Sequence, residues 1–223
     1  MGEYYTWVNV DKKEYINPGN FDYGLKLYES SCRGNPVLCA LREMLSKEWA
    51  GDHVFFMADE KLIPEDSRNE TLRKMYERTV QNGSPGDGDA AQLESFKNIS
   101  GLFKDAKEDV TKEIEFYVEK IRSGDESWLN EYGIDINDPF KGLFLRDGRD
   151  FRFTMNHTKK VYYSFEETRM IDLQDPENFD TDPLPILMAY GGLGQGAWLG
   201  DLIGVSDEKP EGYELLREIS LDL

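Results

Sequence analysis

The chain has 223 residues, 39% of them hydrophobic and 13% aromatic, which is enough material for one sizeable core. Its 26 Lys and Arg stand against 44 Asp and Glu, a formal charge of −18. Such a balance repels phosphate, so neither nucleic acid nor an anionic membrane is an expected partner, and no run approaches the ~18 apolar residues of a membrane span.

Residues 4–16, YYTWVNVDKKEYI, predict strand, turn and strand, because aromatic and β-branched residues flank a polar bend from Asn9 to Lys13. Pro18, Gly19 and Asn20 then break the chain. Asn35 is placed to cap a helix whose first residue is Pro36, with Val37, Leu38, Leu41, Met44, Leu45 and Trp49 at helical spacing and Gly51 as its stop. Val54 to Ala58 follows as a short strand, apolar throughout and therefore covered on both faces. Leu72, Met75, Tyr76 and Val80 predict a second helix over 69–80. The segment 81–91, QNGSPGDGDAA, reads as a surface loop, and a third helix is predicted over 107–122.

After residue 139 the pattern turns strand-like. The runs 142–145, 151–155 and 161–165 predict a meander of antiparallel hairpins, with a further strand over 201–205. An apolar run, Leu184 to Tyr190, leads into the glycine cluster of 191–196. The expected fold class is α+β: one globular domain over 1–223, helices mainly before residue 130, and an antiparallel strand-rich C-terminal part.

Few motifs carry chemistry. Only the loose form of a dinucleotide fingerprint fits, from Gly192 to Ala197, with no convincing helix after it, so the glycines read as a tightly turned loop. Asp87-Gly88-Asp89 begins like a calcium loop but lacks its later ligands. Asp172, Asp175, Glu177, Asp180 and Asp182 form the densest acidic segment and read as a solvated loop. Of the two histidines, His157 is expected in an exposed turn and His53 at a half-buried strand end. The catalytic candidates are Asp59, Glu60 and His53; no cofactor or metal is expected. Opposite ends of a strand this long lie about 20 Å apart, which separates His53 from Asp59 and Glu60.

Tyr4 to Ile16, Pro18, Phe21, the Gly24 to Leu27 segment, Glu29, Trp49 to Asp52 and finally Asp59-Glu60 resemble a widespread bacterial family of uncharacterised proteins, over roughly residues 4–60. Similar sequences often carry Gly where Ala58 stands here. The resemblance implies a bacterial, cytoplasmic, globular protein and brings no catalytic residue with it. Two thiols, Cys32 and Cys39, and an N-terminus without a basic, apolar leader fit the cytoplasm as well.

Two functions are expected from these features. The first is an interaction module for a basic protein partner, motivated by the charge. The alternative is a hydrolase with a carboxylate-rich or metal-assisted site at Asp59 and Glu60, joined by the Asp147 to Asp150 turn. Oligomeric state is not legible in the sequence.

Overall fold

A computed structural model describes residues 3–59, 61–80, 93–124, 132–172 and 180–221. Those residues form an α+β fold with five helices and twelve strands. The expected loop at 81–91 lies outside them.

The N-terminal hairpin forms as predicted. β1 (Tyr5–Asn9) pairs antiparallel with β2 (Glu14–Ile16), in the register Trp7 to Ile16 and Asn9 to Glu14. Asn9 Oδ1 accepts from the Lys12 amide at 3.0 Å and closes the bend. After α1 (Leu27–Ser30), α2 (Pro36–Leu45) begins with Asn35 Oδ1 accepting from the Leu38 amide at 2.8 Å. It ends at Leu45, earlier than the spacing of Trp49 suggests. From Ser46 the chain tightens into turns, the Trp49 amide donating to Met44 O, so that the indole is buried and its Nε1 donates to Glu14 at 2.8 Å. Gly51, at φ +80°, then admits the left-handed turn into β3 (Val54–Ala58).

The remaining elements are α3 (Glu70–Val80), β4 (Lys97–Asn98), α4 (Lys107–Arg122), β5 (Phe153–Asn156), β6 (Val161–Tyr163), β7 (Arg169–Asp172), α5 (Leu184–Met188), β8 (Ala189–Gly191), β9 (Gly194–Gln195), β10 (Ile203–Ser206), β11 (Glu214–Leu215) and β12 (Glu218–Leu221). The main sheet has the order β4-β2-β1-β3-β8-β9, with β3 parallel to β8. A second sheet runs β10-β5-β6-β11, and β12 pairs with β7.

The period of two along β1 and β3 decides what covers the main sheet. Tyr5, Trp7, Val54, Phe56 and Ala58 face a core shared with α2 and α4, where Trp7 stacks on Phe56 at 4.4 Å between ring centres. Val8, Phe55 and Met57 face the other way, onto Leu72 and Met75 of α3. β3 is therefore covered on both faces, and full burial of each of those two α3 side chains contributes about 1.5–3 kcal/mol. The larger core cluster runs from Tyr5 to Leu221.

Two expectations need correction, and one run left unassigned takes a definite form. Residues 142–145 form no strand: Gly142 and Phe144 stand at φ +76° and +58°, and that left-handed pair turns the backbone out of any ladder. The C-terminal strands are antiparallel at β5–β6, β5–β10 and β8–β9, but β11 and β12 add in parallel to β6 and β7, which the short-hairpin spacing could not reveal. The apolar run before the glycine cluster is helix and then strand, because Asp182 Oδ1 accepts from the Leu184 amide at 3.0 Å and starts α5.

Candidate functional site

The two ends of β3 carry different groups, as its length requires. At the start, Asp11 Oδ2 accepts from both the His53 amide and its ring Nδ1, each at 2.7 Å. Lys74 of α3 lies 3.3 Å from the other Asp11 oxygen and 3.6 Å from Glu70. Burial alone would raise the Asp11 carboxyl, but the two bonds from His53 and the Lys74 charge outweigh it and hold it below the usual carboxylate range. Asp52 accepts from Asn9 and Lys12, each at 2.8 Å. His53 is thus a brace between the bend, β3 and α3, with its ring committed to neighbours.

At the other end, Asp59 and Tyr4 bond each other twice: the Asp59 amide donates to Tyr4 O at 2.9 Å, and Oδ1 accepts from the Tyr4 amide at 3.1 Å. Glu60 lies outside the described residues. β8 runs parallel to β3 in the register Met57 to Tyr190, so Gly191 falls level with Ala58, one residue short of Asp59. Glu3 joins the ends of the strands on either side of β3. Its carboxylate accepts from Tyr5 Oη at 3.0 Å and from the Gly192 amide at 2.6 Å. Burial, then the charges of Glu3 and Asp59, push the Tyr5 phenol up, so it remains the donor.

This arrangement accounts for the glycines. A Cβ on Gly191 would overlap Tyr5 Oη, and one on Gly196 would overlap the carbonyl oxygens of Leu187 and Ile186. The cluster is a two-residue hairpin, with Gly191 opposite Gly194 and Leu193 63% exposed at its tip. A cavity of about 220 Å³ sits against the hairpin, lined by Tyr5, Leu27, Ile186, Leu187, Leu193 and Gly194 among others. Tyr4 and Leu62 are also half exposed, but the Leu62 carbonyl accepts from Tyr190 Oη, which points to the α3 side of the sheet, away from the cavity. A hollow with one apolar side and with the Glu3 and Asp59 charges acting on its wall residue Tyr5 is suited to a group with an aliphatic stem and a cationic head.

The structure does not bring Asp147 to Asp150 to this end. Asp147 pairs with Lys104 at 2.9 Å, while Asp150 is held by Arg42 of α2, so the proposed union with Asp59 does not form. The Arg42 assembly was not anticipated. Its guanidinium, fully buried, lies 2.6 Å from Asp182 Oδ2, and Tyr163 Oη donates to Asp182 Oδ1 at 2.9 Å. Asp182, read as part of a solvated run, is therefore a buried anion. One signal was present: Arg42 follows Leu38 by four and precedes Leu45 by three, on the apolar face of α2. His157 is also misread as an exposed turn residue. It is half-buried against Gly204, its Nδ1 2.7 Å from Tyr213 Oη, and burial followed by the Lys160 charge lowers its pKa.

Among the described residues, no group of three or more His, Cys, Asp or Glu is arranged to hold a metal ion, and no helix is long and apolar enough to cross a membrane. No protein-family model matches the chain, and no curated protein or solved structure matches it significantly.

Proposed function

We propose that this protein is an interaction module for a basic protein partner and that the cavity at the β8–β9 hairpin receives a Lys or Arg side chain of that partner. One observation carries the reading: Tyr5, Leu27, Ile186, Leu187 and Leu193 give the cavity an apolar side, while Glu3, bonded to Tyr5 of that wall, has lone pairs to spare and its charge and that of Asp59 both reach Tyr5. The stem of a long basic side chain fills the first and its head meets the second. Exposed Leu193 in the cavity wall and half-exposed Tyr4, bonded to Asp59, supply apolar contact, the composition of a recognition patch. The charge of −18 adds long-range attraction and speeds encounter with a cationic surface. The resemblance over residues 4–60 and the free thiols of Cys32 and Cys39 support a bacterial, cytoplasmic setting.

The test is titration with an acetylated octapeptide of alternating Val and Lys, followed by calorimetry. We expect binding that weakens by about tenfold or more when salt rises from about 20 to 200 mM, since screening shortens the reach of these charges. D59N together with E3Q should weaken it comparably at low salt. Binding that ignores both salt and these substitutions would overturn the assignment.

A further inference from the structure

The main sheet ends at β9, whose two residues are both exposed. Tyr190 stands opposite Gln195, and the Gly196 amide donates to Ala189 O at 2.8 Å. That bond flanks the Tyr190–Gln195 pair, which makes it a non-hydrogen-bonded pair of the antiparallel ladder. The Gln195 N–H and C=O therefore point away from β8, toward the open side of the sheet. No turn or side-chain hydrogen bond among the described residues uses either group.

We propose that the basic partner docks here in extended form, adding a strand to β9 through Gln195. This rests on the interaction reading above and gives the partner a shape. Four consecutive residues of this edge, Gly194 to Ala197, also line the cavity, so the edge and the hollow are one surface. Side chains of an added strand alternate between faces, and one on the cavity face reaches the hollow while its neighbours turn away. Gly194 and Gly196 have no side chain to hold that strand off. Glu3 and Asp59, at the same end of the sheet, select a Lys or Arg for the inward position.

A second copy of this chain fits the edge less well. Two such edges brought together would also approach two Glu3 and Asp59 sets of like charge, across a pairing surface only two residues long.

The experiment uses the full chain and the Val-Lys octapeptide with two analogues, one N-methylated at every Lys nitrogen and one at every Val nitrogen. Successive residues of a strand direct their N–H groups to opposite edges, so only one analogue loses the donors that face β9. We expect one analogue to bind about tenfold more weakly or worse, and the parent peptide to slow amide exchange at Gln195 by about tenfold. Q195P, which removes the outward donor, should weaken the parent peptide to a similar degree; if that variant fails to fold, the peptide analogues still decide. Should all three peptides bind alike and Gln195 exchange stay unchanged, the edge is not the dock, although the basic-partner reading stands. Should no peptide bind, both fall.

Discussion

Arg42 carries a charge with no exposed surface, met by Asp182 at 2.6 Å, by Asp150 at the solvent side and by the Tyr163 hydroxyl at 3.3 Å. Desolvation opposes the charge, and the two carboxylates more than offset it, so the guanidinium stays protonated. Removing one member leaves the other buried and unpaired, and R42M should cost about 3–5 kcal/mol in urea unfolding. Adding D182N should return part of that loss; strict additivity of the two substitutions would show that the pair does not act as a unit. Asp11 offers a pH test. Its folded pKa lies below its unfolded value, so its contribution is complete above about pH 4 and is lost as the pH falls through the folded value. The stability gap between wild type and D11N should therefore be constant from pH 7 to about 5 and close below about 4. Neither partnership was legible beforehand: Asp11 and His53 are 42 positions apart, and spacing says nothing about contacts that distant.

Helices and strands with a clear apolar period were readable. α4 spans 107–122 as predicted, since Val110, Ile114, Tyr117, Val118 and Ile121 share one buried face, and β3 matches its predicted bounds because five consecutive apolar residues are bounded by polar turns. Elements made by non-local pairing were not readable. β4 and β11 are two residues long, and each exists only because a distant strand accepts it in parallel. The glycine hairpin falls between these cases: its turn was foreseen, while its seat against Leu187 and Ile186 was not. That seat makes G196A a sharp probe. Its methyl has no room beside two carbonyl oxygens, so the hairpin must shift, at a cost of about 1–3 kcal/mol by chemical denaturation, with faster exchange of the 196 amide that bonds Ala189. G194A would test something different, because Gly194 stands at φ +129° with open space around it and only the backbone resists.

Across the whole molecule, an excess of 18 negative charges repels itself in the compact state. Raising NaCl from about 10 to 150 mM should raise the melting temperature by a few degrees, as the screening length falls from about 30 to 8 Å; a flat or falling melting temperature would mean that the surface ion pairs, which the same salt weakens, outweigh the repulsion. The α+β class followed from composition and period, but the sheet order did not, because β8 joins β3 from far along the chain.

That late partner has a consequence for synthesis. A chain leaving the ribosome completes β1, β2 and β3 early, yet the far edge of β3 waits for Ala189 to Gly191, and the larger core waits for Ile219 and Leu221. Through most of translation the wholly apolar Val54–Ala58 segment has one bare edge and an unfinished cover. A nascent chain in that condition pairs readily with its neighbours on a polysome, so chaperone occupancy during elongation, more than the stability of the finished fold, should set how much of this protein a cell recovers.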